Sequence, residues 1–237
     1  MHPRDVFNFV DQSIGTDLHA KRILSLSKAT TGVIHSASLG VSAIGRALAL
    51  AQRTDPKHGI KQVDRLLSNI AIDPQELFAS WVPFVLSSRT EARIALDWTH
   101  FDHDGHATLA AYLLTSHGRA TPLVWRTFRL SELSDGGRND AEDILLIRLR
   151  EVLPEGVNVT LLADRGFGSV ALYAMLDDWD WHCVIRFRKG TFMANAKGET
   201  KPAEEWISPK GHAKSLAHAR MTMLLVLGTR RTRTAMP

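Results

Sequence analysis

Residues 93–101 read RIALDWTHF and residues 159–168 read VTLLADRGFG. In the first stretch Ile94, Leu96 and Trp98 alternate with Ala95, Asp97, Thr99 and Phe101. That period of two predicts a strand with one apolar face. The short apolar run from Val157 to Ala163, which leads into the second, predicts another strand that delivers Asp164 at its C-terminal end. A carboxylate within or at the end of an apolar strand is costly unless it faces water or binds something. Two of them on neighbouring strands would suit a hard divalent cation such as Mg²⁺. Paired metals of that kind activate a water or hydroxyl against a phosphodiester. Each aspartate also has an ordinary alternative. Asp97 could simply face solvent from its strand, and Asp164 could cap the helix that follows.

Working outward from these stretches, Asp104-Gly105 is a turn signal and Ala107–Thr115 reads as the returning strand. His117-Gly118 marks a second turn, and Pro122–Leu130 a third strand, so the three form an antiparallel meander. Asn139 and Glu142 have capping-box spacing at the start of a helix. Ala141, Leu145, Leu149 and Val152 would be its buried stripe, and Pro154 with Gly156 its end. Ser169 to about Trp179 reads as a further helix, and Trp181–Phe187 as a further strand. Helices between the later strands imply crossovers and parallel pairing. The order β-β-β-α-β-α-β describes an α/β domain, a mixed sheet flanked by helices. It is the order of the ribonuclease-H-like fold, in which the first strand runs beside the fourth. That fold analogy, rather than any spacing, sets Asp97 next to Asp164.

The chain up to about Leu86 reads as helical, with one segment opening at Asp17-Leu18 and ending near Gly32. A second, rich in Gly, Ala and Ser, runs to about Gln52, and its small residues would allow close helix approach. In a third, Ile60, Val63, Leu67 and Ile70 have the spacing of a core-facing stripe. Lys57, Lys61 and Arg65 fall on roughly the opposite side. They make either a solvated basic face or a helix that lies on DNA phosphates. Asp73-Pro74-Gln75-Glu76 is a helix start, with Asp at N-cap and Pro at N1, and Pro83 is expected to bend or end that helix. After Gly190, NAKGETKPAEEW reads as a turn and polar loop or hairpin, and the chain ends in LLVLGTRRTRTAMP, rich in Thr and Arg.

A net charge of +4 permits a nucleic-acid partner without requiring one. One cysteine, Cys183, excludes an internal disulfide framework and fits a reducing cytoplasm. Its place in the apolar run WHCVIRF predicts a core residue rather than a nucleophile. The start, MHPRDVFNFVDQS, has no apolar signal region. Thr31–Ala51 carries His35, Arg46 and several serines, so no membrane span is expected.

LDWTHFDHDGHATL, TSHGRATPLVWRT, LLADRGFGS and VIRFRKG, in this order, resemble the catalytic domain of bacterial insertion-sequence transposases of the DDE class, of the insertion-sequence-four type. KHGIKQVDRLLSN resembles part of the N-terminal DNA-binding region of the same proteins. The resemblance spans roughly residues 15–215. It implies a helical DNA-binding region over residues 1–90, a ribonuclease-H-like catalytic core over 91–190, and the start of a β-rich insertion with an aberrant tail over 191–237. It implies that Asp97 and Asp164 are metal-binding carboxylates for Mg²⁺ or Mn²⁺, two ions in an intact member. It also implies transposition by phosphoryl transfer on the element's terminal inverted repeats and target DNA, a homodimer in intact relatives, and a place at the nucleoid in the bacterial cytoplasm.

The family's third carboxylate is a glutamate in a motif that also holds a tyrosine. The only tyrosines here are Tyr112 and Tyr173, so that motif is missing. The expectation is a truncated or frameshifted reading frame whose product does not transpose. Glu204 and Glu205 are poor substitutes, because Gly198 and Pro202 interrupt any helix that would carry them. Arg165 could meet substrate phosphate or offset nearby carboxylates. Arg186, Arg188 and Lys189, at the end of the last strand, could meet the DNA backbone or form a solvated edge. His100, His103 and His106 with Asp102 and Asp104 mimic a metal cluster but would fan apart across a turn. The rivals to a transposase are a non-catalytic DNA-binding remnant and a ribonuclease-H-like nuclease.

Overall fold

The computed structural model describes residues 2–116, 118–134, 136–186 and 191–206, and the backbone of 220–222. The chain divides into two compact units, residues 1–92 with 98–157 and residues 93–97 with 158–237. The helices α1 (Pro3–Ile14), α2 (Ala20–Ser36), α3 (Val41–Gln52), α4 (Pro56–Leu67) and α5 (Pro74–Leu86) come first. Then follow β1 (Glu91–Phe101), β2 (His106–Leu113), β3 (Thr121–Arg129), α6 (Gly137–Val152), β4 (Asn158–Ala163), α7 (Val170–Asp178) and β5 (His182–Ile185). Three short strands complete the described chain, β6 (Phe192–Ala194), β7 (Thr200–Pro202) and β8 (Arg220–Thr222). The architecture is α/β, with a mixed five-stranded sheet in the order β3-β2-β1-β4-β5 and a separate sheet in the order β7-β6-β8. β2 and β3 pair antiparallel, β4 and β5 parallel. The expected order of elements and the adjacency of the first and fourth strands are both present.

In the first unit α1 and α2 share an apolar cluster of Val6, Val10, Ile14, Leu18 and Ile23. Both helices begin on histidines. The Nδ1 of His2 accepts from the Arg4 backbone N–H and that of His19 from Lys21, each at 3.2 Å. α2 therefore starts after Asp17-Leu18 and runs past Gly32 to Ser36. The close helix approach expected from small residues occurs between α3 and α4. A Cβ added to Gly59 would lie 2.0 Å from the Gly45 carbonyl oxygen, and one on Gly45 would lie 2.4 Å from the Ile60 Cα.

That packing overturns part of the stripe expected on α4. Gly59 and Val63 are buried and Ile60 is half-buried, but Leu67 is 68% and Ile70 98% exposed. The helix buries Gly59 and Val63 against α3, while Leu67 is its last residue and Ile70 lies beyond its end.

α5 starts as predicted, its N-cap Asp73 accepting from the Gln75 N–H at 2.8 Å. Pro83 does not end it. The helix runs on to Leu86 and closes with the Ser87 N–H on the Pro83 carbonyl at 2.8 Å. α5 packs on β3, where Phe78 meets Trp125 edge to face at 4.8 Å and the Trp81 indole donates to the Pro122 carbonyl at 2.8 Å. The buried stripe of α6 is as predicted, joined by Leu146. Its start is not. The helix opens at Gly137 from an N-cap Gly136 that makes no side-chain cap, so Asn139 and Glu142 form no capping box. Glu142 is instead buried, at 6% exposure, and accepts from the Trp98 indole N–H at 2.8 Å.

In the second unit β4 is buried through Val159 and Leu161. α7 is capped by Ser169, whose hydroxyl accepts from the Leu172 N–H at 3.1 Å. The polar segment after residue 190 does form a hairpin, β6 with β7, and β8 adds to its other edge. No single helix among the described residues is long and apolar enough to cross a membrane. α2 and α3 reach that length and composition only together, and they are bent by 101°.

Candidate functional site

Asp97 and Asp164 both belong to the second unit. The β1 alternation buries Ile94 and Leu96 and leaves Arg93 and Asp97 exposed. On β4 the buried residues are Val159 and Leu161. Asn158, Thr160 and Leu162 take the other face, and Asp164, one residue past the strand, continues their phase. β1 and β4 are hydrogen-bonded neighbours. Each aspartate is exposed and in phase with the less buried residues of its own strand.

The sequence of the loop after β4 explains how Asp164 is held. The Gly166 N–H donates to Asp164 Oδ1 at 2.6 Å, and the Phe167 N–H reaches the Asp164 carbonyl at 3.3 Å. Asp164 thus caps its own turn, while Ser169 caps the helix, so the helix-capping alternative for Asp164 does not hold. Arg165 is exposed in this turn. β4 and β5 pair with Ala163 opposite Ile185, and the Arg186 N–H lies 3.4 Å from the Ala163 carbonyl. Continuing that parallel register sets exposed Arg186 beside Asp164. Arg188 and Lys189 lie outside the described residues, as does Phe187 of the expected strand.

As a donor set, two solvent-facing carboxylates fit a hard cation. They offer oxygen ligands only and leave room for the waters that Mg²⁺ retains. Among the described residues no three His, Cys, Asp or Glu side chains converge in a metal-holding group. Glu204 and Glu205 are exposed on the 3₁₀ turn Ala203–Trp206 after β7, not on an α-helix. His100 and His103 are exposed, and the His106 Nδ1 is engaged by the Asp104 carbonyl, so this group is a turn, as expected. On α4, Lys57, Lys61 and Arg65 are all exposed in the first unit.

Cys183 is half-buried, and burial pushes its thiol up, opposite to what a thiolate nucleophile needs. Burial also pushes the Tyr173 hydroxyl up to about 12, with a further rise from Cys183.

Glu142 went unseen as a buried group. Burial raises its pKa, while hydrogen bonding from Trp98 and the charge of Arg138 pull it down. Arg138 Nε lies 3.5 Å from its carboxylate, and the same guanidinium sits 4.9 Å over the Trp98 ring. The signal in the sequence was Trp98 itself. A tryptophan on an inward strand face brings an N–H that needs an acceptor.

The sequence matches no protein-family model. It matches no curated protein sequence either.

Proposed function

We propose that this chain is a DNA transposase of the DDE class with a ribonuclease-H-like core, whose Asp97 and Asp164 carboxylates hold divalent metal against a DNA phosphate. The observation that carries the reading is two exposed aspartates within one compact unit, Asp97 on β1 and Asp164 one residue past the neighbouring strand β4. Bound Mg²⁺ or Mn²⁺ would supply Lewis-acid activation of water or a 3′-hydroxyl and neutralise charge at the scissile phosphate. The chain's own residues do the rest. Asp97 offers oxygen ligands from β1, and Asp164 from the turn just past β4. Arg186, beside Asp164, offers a guanidinium that suits a phosphate oxygen. Arg165 lies in the same turn and is assigned the same partner, as are Arg188 and Lys189 further along the chain. Lys57, Lys61 and Arg65 present three cations along one helix to the DNA backbone, a contact that positions without reading sequence.

The test is duplex-DNA binding by the full chain, followed by fluorescence anisotropy from low to moderate salt, with and without Mn²⁺. If the three α4 cations carry the contact, the log–log salt slope is near about −3. Mn²⁺ should strengthen binding in the unaltered chain and leave Asp97→Asn and Asp164→Asn unaffected. Salt-independent binding, or none at low salt, would remove DNA as the partner. Salt-dependent binding indifferent to Mn²⁺ would favour the non-catalytic DNA-binding reading.

A further inference from the structure

The geometry points to Gly166 as a positioning residue for the Asp164 carboxylate, an inference that rests on the metal-binding reading of Asp164. Two observations converge on it. The Gly166 N–H donates to Asp164 Oδ1 at 2.6 Å, which ties down one carboxylate oxygen and fixes the direction in which the other is offered. A Cβ built on Gly166 would lie 2.8 Å from that same Oδ1, closer than a Cβ sits to any neighbour in folded proteins. The backbone at Gly166 is not in the left-handed region, so alanine fits the chain conformation there. What alanine cannot do is share space with the carboxylate as it stands. The side chain would swing away, and the hydrogen bond that orients it would be lost. A ligand's hydrogen-bond partner acts on affinity through orientation, and its removal typically costs about 10–100-fold.

Gly168, two residues on, supplies the internal control. A Cβ there meets nothing nearer than 3.8 Å, from the Ile185 Cγ2 and the Tyr173 hydroxyl, which is ordinary contact. Its backbone, too, lies outside the left-handed region. The loop therefore holds two glycines that look alike in sequence but differ in what they do. One is glycine because a carboxylate occupies the space of its side chain. The other has space to spare.

The experiment is Mn²⁺ binding to the full chain, followed by the loss of the free-ion electron paramagnetic resonance signal. It compares the unaltered chain with Asp164→Asn, Gly166→Ala and Gly168→Ala. Gly166→Ala should weaken Mn²⁺ by about tenfold or more, while Gly168→Ala stays within about twofold. A second measurement needs no variant that might misfold. The Gly166 amide proton resonance of the unaltered chain should move on Mg²⁺ addition, and the movement should vanish in Asp164→Asn. Unchanged affinity in Gly166→Ala would overturn the inference, as would equal losses in the two alanine variants or a Gly166 resonance indifferent to Mg²⁺. Absence of any Asp164-dependent Mn²⁺ binding in the unaltered chain would instead overturn the metal reading itself, so the two failures are distinguishable.

Discussion

The loop after β4 and the first turns of α6 each hold a carboxylate, and they use it in opposite ways. Asp164 faces water and receives one backbone N–H, from Gly166. Glu142 is withdrawn from water and receives an indole N–H and a guanidinium, so its bonding capacity is turned inward. A buried carboxylate with protein partners stabilises or specifies a fold, and has nothing left to offer a ligand. An exposed one, held from one side only, keeps an oxygen for a cation. The contrast separates an acid turned inward from one still open to a ligand, without reference to either residue's position in the sequence.

The largest effect that would break this contrast is on ion binding. Asp164→Asn should weaken Mn²⁺ by at least the ~10–100-fold that losing a ligand's outer partner costs. Its unfolding midpoint should hardly move, as expected for an exposed site. Glu142→Ala should do the reverse. It leaves the Trp98 indole and Arg138 without their acceptor and should cost about 1–3 kcal/mol, read by denaturant or thermal unfolding. Its Mn²⁺ affinity should match that of the unaltered chain.

A smaller effect concerns pH. The folded-state pKa of Glu142 is raised, chiefly by burial. The stability tied to its neutral form is therefore present below the ordinary glutamate range and is lost as pH rises through the folded value. Glu142→Gln keeps an acceptor for Trp98 without the charge. It should melt higher than the unaltered chain at about pH 7 and approach it at about pH 4. The smallest effect lies on α4, where the charges are simply solvated. Each of Lys57→Ala, Lys61→Ala and Arg65→Ala should lower the DNA salt slope by about 1. Stability should shift by no more than about 0.5 kcal/mol.

Much of the sheet was legible because its signals are local. The alternation in RIALDWTHF predicts the burial pattern of β1 from Arg93 to Thr99, and Asp73-Pro74 marks the start of α5 where it occurs. The relation between β1 and β4 came from the order of elements rather than from any pair of residues. What escaped depends on tertiary partners. Histidine is not among the favoured N-caps, so the start of α2 carried no familiar sign, whereas α1 did carry one in Pro3 at N1. Glu142 had the spacing of a capping box, but Trp98, 44 positions away, claims it. Leu67 and Ile70 followed a helical period, yet the helix ends at Leu67 and its contact with α3 is made earlier, at Gly59 and Val63. Of the candidate site, the two aspartates could be read from sequence. The Gly166 hydrogen bond could not, because it depends on the path of a turn.

The central claim is that Asp97 and Asp164 serve one ion site together. The direct measurement is a double-mutant cycle on Mn²⁺ affinity with Asp97→Asn, Asp164→Asn and the pair. Shared ligation predicts that each single variant loses most of the affinity and that the double variant loses little more than either. Losses that simply add, or a single variant that binds Mn²⁺ as tightly as the unaltered chain, would contradict it.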